Sequence, residues 1–253
     1  MALTPASSSL ALAERLNVTA LVATVQSAER LSPHLMAVTL AGASAIGGVP
    51  GNDVMVVLTD GDTHTNRRYS LRSIDPEADT ATLWIATNHD GLGARWAQSC
   101  APGDTVDLVG PRGKIPLDPM ADWHLFIGDI TGLPAFYRMA ESIEVPGKAI
   151  FIVEVDEIAD AVTATFDEGL GVTGIFVERN GRAFNDPAGL TAGLAAFDFP
   201  EHTGHAYVFS EFSVVRAITT LLKDRGLSAE QISTKNFYRV GRANAANGEP
   251  ERD

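Results

Sequence analysis

The stretch Asn66-Arg67-Arg68-Tyr69-Ser70-Leu71-Arg72-Ser73 carries cations, a phenol and a hydroxyl within eight residues. In an extended segment, period-two alternation puts Arg67, Tyr69 and Leu71 on one face and Arg68, Ser70 and Arg72 on the other. A guanidinium forks onto phosphate oxygens, and a phenol ring packs against a flat ring system. The Arg67/Tyr69 face therefore suits a ligand that is anionic at one end and planar at the other, and a flavin dinucleotide has that form. The Ser70 hydroxyl and the strand's backbone amides could then bond the polar edge of the ring, near its hydride-accepting nitrogen. The competing reading is an exposed edge strand with solvated arginines.

A second segment, His89-Asp90-Gly91-Leu92-Gly93-Ala94-Arg95-Trp96-Ala97-Gln98, starts as a glycine-containing turn and continues in good helix formers. Such a helix start points free amides and a partial positive charge outward, as a pyrophosphate cradle requires; a plain barrel-capping helix has the same pattern. Two basic clusters stand out, Arg67/Arg68/Arg72 and Lys235/Arg239/Arg242. His202-Thr203-Gly204-His205 has half the residues of a metal site but no second pair at suitable spacing, so it reads as a surface loop.

These residues need elements to hold them. Six short strands are expected: 18–26, 35–41, 53–58, the Arg67 segment, 80–87 and 105–109, separated by turn residues. That spacing predicts an antiparallel β-barrel domain over 18–117. After Pro119 apolar strands alternate with helices: 124–128, a helix from Leu133, then 149–155, 172–177, 206–209, a helix over 213–225 and a last strand over 232–240. This is the pattern of a parallel-sheet α/β domain over 118–243, with ligands at the carboxyl ends of its strands, where Gly128-Asp129 and Ser210-Glu211 fall. Thr131 is expected to cap the helix from Leu133. Residues 1–17 and 244–253 read as tails.

The 253 residues carry 32 acidic and 19 basic groups, a net charge of −13, which disfavours nucleic acid as a partner. No apolar run is long enough to insert in a membrane, and the first residues lack the pattern of a secretory signal, so a cytoplasmic location is expected. With Cys100 as the one cysteine, neither an internal disulfide nor a cysteine-ligated iron–sulfur cluster can form within the chain. Redox chemistry would need an organic cofactor.

Five ordered motifs over roughly 18–243 resemble those of the siderophore-interacting protein family, flavin-containing ferric-siderophore reductases related to ferredoxin–NADP reductases. Arg67 to Arg72 is similar to that family's Arg-x-Tyr-Thr/Ser-x-Arg segment, and His89 to Ala97 to its His-Gly-x-Gly-Pro-Ala-x-x-Trp-Ala element. Pro102-Gly103-Asp104 and Gly110-Pro111-Arg112-Gly113 resemble its next two turns, and Gly128-Asp129-Ile130-Thr131-Gly132-Leu133-Pro134-Ala135 its Gly-Asp-Glu-Thr-Ala-Leu-Pro-Ala segment. The chain differs at Ser210-Glu211-Phe212, where the family has Gly-Glu-Ala, and at Asn236-Phe237-Tyr238-Arg239-Val240-Gly241, where it has Gly-Tyr-Trp-Arg-x-Gly.

The resemblance implies cofactor binding by Arg67, Tyr69, Ser70, Leu71, Thr87, His89, Gly93, Ala94, Arg95, Asp129 and Thr131, with Arg67 and the helix start at Gly93 to Arg95 on the pyrophosphate of FAD and Tyr69 on its ring. It implies NAD(P)H as electron donor and a ferric siderophore drawn in by Lys235, Arg239 and Arg242. It names no catalytic side chain, because the flavin carries the chemistry. Two other roles fit the same motifs: a flavoprotein fed by a protein donor such as ferredoxin, and a non-catalytic flavin- or siderophore-binding protein. Asp156, just past a strand, would repel a 2′-phosphate, whereas Arg179 and Arg182 could bind one.

Overall fold

The computed structural model describes residues 3–60, 63–145, 147–161 and 172–242. The chain divides into two units, Met1–Pro116 and Leu117–Asp253. In the first unit, β1 (Thr19–Ser32), β2 (Leu35–Ala41), β3 (Asp53–Asp60), β4 (Thr63–Asp75), β5 (Thr80–Ala86) and β6 (Thr105–Arg112) form a closed antiparallel barrel in the order β1-β2-β5-β4-β3-β6. Val38, Leu40, Val54, Val56, Leu71 and Leu83 fill its interior. A barrel has no open sheet edges except where its strands part, and that exception matters here. β4 pairs with β5 from Asp75/Thr80 only as far as Leu71/Leu83, with a register shift at Arg72. Beyond that point β4 stays paired with β3 alone, through Tyr69/Val54 and Arg67/Val56.

The N-terminal stretch read as a tail is helical instead. α1 (Ser7–Leu16) lies on the outside of the barrel, with Ala13 buried against Met55 and Val109. The Asp107 carboxylate fixes its start, accepting from Ser9 Oγ at 2.6 Å and from the Ala6 amide at 2.8 Å. The polar serines that suggest a frayed end thus serve as anchors. Residues 244–253 lie outside the described residues. α2 (Leu92–Ser99) is the helix expected after His89; its N-cap is Gly91, with no side-chain cap.

The second unit is a five-stranded parallel sheet in the order β11-β10-β7-β8-β9, built from β7 (Trp123–Asp129), β8 (Ala149–Val155), β9 (Thr173–Glu178), β10 (Gly204–Glu211) and β11 (Ile232–Tyr238). The chain runs outward from β7 to β9, returns to the other side of β7 and ends at β11, so the direction reverses between β7 and β10. Crevices at such switch points are where open α/β sheets bind ligands. α3 (Leu133–Ala140) and α5 (Phe212–Asp224) fill expected positions. α4 (Ala188–Ala195) is an addition: Ala-Gly-Leu-Thr-Ala-Gly-Leu-Ala has no polar face to betray a helix, and Gly193 lets it press on Ile152 and Val177. No helix among the described residues is long and apolar enough to cross a membrane.

His205 does not lie in a surface loop; it is buried on β10. Its Nδ1 faces Asp118 Oδ2 at 3.1 Å and its Nε2 faces Ser233 Oγ at 2.9 Å, so it ties the approach to β7 to β10 and β11. Beside it, His124 is buried next to the stacked rings of Phe126 and Tyr207, at 6.4 and 6.1 Å from their centres. Burial, reinforced by His205, holds its pKa down at about 4. Its Nδ1 has no hydrogen-bond partner among the described residues. Between the ordinary histidine value and about 4, the unfolded chain therefore binds a proton that the folded chain refuses, and stability falls as the pH drops through that window. His124→Phe should remove this dependence. In thermal melts from pH 7.5 to 4.5 the variant should gain on the parent as the medium acidifies, by an amount on the order of 2–3 kcal/mol at the acid end.

Candidate functional site

β4 brings the motif together as alternation requires. Leu71 and Tyr69 pack on the barrel interior, while on the opposite face Arg68 makes a paired contact with the buried Asp53, Nε to Oδ1 at 2.9 Å and Nη2 to Oδ2 at 2.5 Å. Tyr69 sits where β4 has parted from β5. Burial pushes its phenol above the ordinary value, and the Arg67 guanidinium opposes that shift, so the cation and the ring share a neighbourhood. A Cβ built on Gly93 would fall on the Tyr69 hydroxyl oxygen. The phenol thus ends on the backbone of the first turn of α2, and two motifs more than twenty residues apart become one surface.

Ser70 Oγ is buried and has no hydrogen-bond partner among the described residues. A buried hydroxyl left so costs about 1–3 kcal/mol, which a bound acceptor or donor removes. His89 caps the turn before α2, its Nδ1 accepting from the Gly91 amide at 3.1 Å. Arg95 reaches back to Asp90 at 3.0 Å, an exposed pair that water screens. Ala94 is buried, and the Thr87 amide donates to His34 O at 2.8 Å. Leu71 belongs to the barrel core: its side chain is fully buried and its amide donates to Asn52 O.

In the sheet unit, Asp129 ends β7 and is buried. Its Oδ1 accepts from the amide and hydroxyl of Thr131 at 2.9 and 2.5 Å, and its Oδ2 from Ser210 Oγ at 2.5 Å and Tyr238 Oη at 3.0 Å. Thr131 therefore does not cap α3, whose N-cap is Gly132; its hydroxyl is held by Asp129 instead. Burial, followed by the Asp129 carboxylate, raises the Tyr238 phenol above its ordinary value. Glu211 caps α5, accepting from the Ser213 and Val214 amides through Oε2 and from the Val240 amide through Oε1 at 3.1 Å.

The basic cluster near the C-terminus is not a uniform rim. Lys235 is 2% exposed, its ammonium 5.5 Å from the Phe237 ring centre and 5.9 Å from that of Phe209. Arg239 lies 4.6 Å over Phe212, which Arg216 approaches at 5.9 Å, and Arg242 is exposed. Sequence reading missed Phe212 as the ring partner of both Arg239 and Arg216. The spacing of Phe212 and Arg216, one helical turn apart, was the available signal.

The barrel and parallel-sheet unit together define the ferredoxin–NADP reductase class of fold. A ferredoxin NADP+ reductase from Neisseria gonorrhoeae with bound FAD and NADP superposes with a TM-score of 0.69 over 86% of this chain and 98% of that one, at 15% identity. Within that class the chain belongs to the siderophore-interacting protein family: residues 50–115 match the siderophore-interacting FAD-binding domain and residues 121–241 the siderophore-interacting protein model. A siderophore utilization protein from T. fusca is 25% identical, with a TM-score of 0.77 over 89% of this chain and 95% of that one. Ferric vibriobactin reductase ViuB of Vibrio cholerae is 30% identical over 95 residues, 37% of this chain and 35% of its own length, so the chain matches about a third of that relative. Residues 50–115 of the barrel unit thus belong to an FAD-binding domain family.

The Tyr69–Gly93 contact is testable without any ligand. Gly93→Ala should cost about 1–3 kcal/mol in urea denaturation, because the added methyl displaces the phenol. In a Tyr69→Phe background the same substitution should cost less, with a coupling of about 0.5–2 kcal/mol, as expected for groups in contact.

Proposed function

We propose that this protein uses bound FAD to reduce a ferric siderophore, with electrons from NAD(P)H. The observation that carries the reading is the parting of β4 from β5 beside Tyr69, with the Ser70 hydroxyl buried there and unsatisfied. In this reading Tyr69 packs on the flavin ring and Ser70 bonds its polar edge. The ring's tilt is set by the seat of the phenol on Gly93. Arg67 and the start of α2 from Gly93 to Arg95, where the Gly93 and Ala94 amides have no cap and the Arg95 amide is bonded to Gly91 O, hold the pyrophosphate. Thr87 and His89 border the same opening, His89 by fixing the turn that aims those amides. Bound FAD supplies hydride acceptance and stepwise electron donation to Fe(III), so no side chain of this chain need act as acid, base or nucleophile.

Asp129 and Thr131, at the β7/β10 switch point, shape the crevice for the nicotinamide in this reading. For the iron substrate, the name of the ViuB relative supports a ferric siderophore. Arg239 and Arg242 are the cations placed to draw an anionic chelate, and Lys235, buried beside Phe209 and Phe237, contributes to it through its charge alone. A protein electron donor such as ferredoxin is the second reading. Phe212, held between Arg216 and Arg239, favours it, since that ring stands where the family has a small residue.

Anaerobic titration of the FAD-loaded protein with NADH and NADPH should bleach the oxidised flavin band, and a ferric catecholate should restore it. Absence of bleaching by either dinucleotide, with FAD still bound, would transfer the donor role to a protein. Arg67→Ala should weaken FAD retention about tenfold or more, since charge-assisted hydrogen bonds contribute about 1.5–3 kcal/mol each. Tyr69→Phe keeps the ring and should change retention less than about threefold.

A further inference from the structure

α1 carries two neighbouring stripes at helical spacing. Ser9, Ala13 and Leu16, at i, i+4 and i+7, hold it on the barrel: Ser9 bonds Asp107, while Ala13 is buried with Met55 and Val109 and Leu16 packs beside them. Ser8, Ala11, Leu12 and Arg15 make the second stripe, at i, i+3, i+4 and i+7. Strand register fixes what that stripe looks at. Val57 of β3 lies opposite Asp107 of β6 on one side and Asn66 of β4 on the other, and Thr59 lies opposite His64. Residues directly opposite share a sheet face, so the outer face that receives Ser9 at Asp107 continues through Val57 to Asn66 and His64.

A cavity of about 280 Å³ separates the second stripe from Val57, His64 and Asn66. Leu12 and Val57, both half-buried, and Ala11 make part of its wall apolar. The rest is polar and unspent. Arg15 makes no ion pair and no side-chain hydrogen bond among the described residues, in a chain with 32 acidic groups to 19 basic. The Ser8 hydroxyl and the Asn66 side-chain amide are likewise without partners there. His64 has Nδ1 against Thr59 Oγ1 at 3.2 Å, which leaves Nε2 for another group. Ser8, Arg15, His64 and Asn66 are exposed, so a solute reaches them directly from water.

We infer that this cavity is a second ligand site, separate from the flavin slot, and that it takes a small organic carboxylate of benzoate size. Alternation separates the two sites: His64 and Asn66 face outward on β4, whereas Tyr69 packs on the barrel interior with Arg67 in the same phase. The Arg15 guanidinium forks onto both oxygens of a carboxylate, in a charge-assisted pair. One cation matches one negative charge, while a phosphate would bring about two. Ser8, Asn66 and His64 supply neutral hydrogen bonds that fix orientation, and Ala11, Leu12 and Val57 cover a short apolar body, the mixture expected of a small-molecule site. Liquid water takes about 30 Å³ per molecule, so the cavity has room for about nine non-hydrogen atoms. The inference is independent of the electron donor and of the iron substrate.

The test titrates the full-length, FAD-loaded protein with benzoate and with benzamide, its uncharged isostere, by calorimetry. Benzoate should bind with a Kd of about 0.1–1 mM, and benzamide at least about tenfold more weakly. Arg15→Gln, which keeps a polar chain and removes the charge, should weaken benzoate about tenfold and narrow the ratio of the two to less than about threefold. Ala11→Phe fills the cavity from an exposed helix position and should abolish benzoate binding while FAD content and melting temperature stay as in the parent. No benzoate binding to the parent up to about 10 mM, or equal binding of benzoate and benzamide, would overturn the inference, and neither comparison needs a variant. Benzoate binding unchanged in either folded variant would overturn it as well, since the anion would then be held by another cation such as Arg239.

Discussion

A buried carboxylate is tolerable only when enough donors surround it, and Asp129 has four: the amide and hydroxyl of Thr131, Ser210 Oγ and Tyr238 Oη. These donors come from the turn before α3 and from β10 and β11, so one side chain fixes three strand ends and a helix entrance. Without it, Tyr238 and Ser210 would each leave a buried polar group unmatched. The backbone closes in at the same place: a Cβ on Gly128 would fall on the Phe209 carbonyl oxygen, so β7 and β10 approach as only glycine allows. The crevice at the switch point owes its shape to this knot, and Glu211 extends it by binding the start of α5 and the Val240 amide together.

The barrel solves the opposite problem. Along β4 from Thr63 to Ser70 the strand pairs with β3 alone, because β5 pairs with it only from Leu71 onward. A protein that closed this seam would gain ladder hydrogen bonds and lose the slot. The Arg68–Asp53 pair on the outer face holds β4 to β3 through the same residues, so the strand keeps its register where half of its pairing is missing. Tyr69, resting on Gly93, then sets one wall of the slot from two distant parts of the sequence.

Much of this was legible in the chain, because alternation and turn residues mark short barrel strands and apolar runs mark a buried parallel sheet. The motif around Arg67 showed which side chains share a face. It could not show that Tyr69 meets Gly93, since that contact depends on how far α2 folds back over β4. The helix over 7–16 was hidden by its serines, whose partner, Asp107, lies almost a hundred residues away. Lys235 reads as a surface cation on any hydropathy scale, yet the aromatic residues at 209 and 237 bury it. Arg179 and Arg182 read as open anion sites because a sequence does not show that the Glu154 carboxylate lies 2.6 Å from the one guanidinium and 3.0 Å from the other.

Closure of the barrel joins its first strand to its last, with Thr24 opposite Thr105 and Thr19 opposite Gly110, and α1 docks on that same last strand. During synthesis β1 pairs with β2 at once, but α1 and the other edge of β1 must wait for some eighty residues to be made before β6 reaches them, about 4–16 s at ordinary translation speeds. In that interval the apolar face of α1 and the outer edge of β1 are exposed on the ribosome. The same non-local pairing that leaves the finished barrel nearly free of edges makes the nascent chain dependent on protection until β6 emerges.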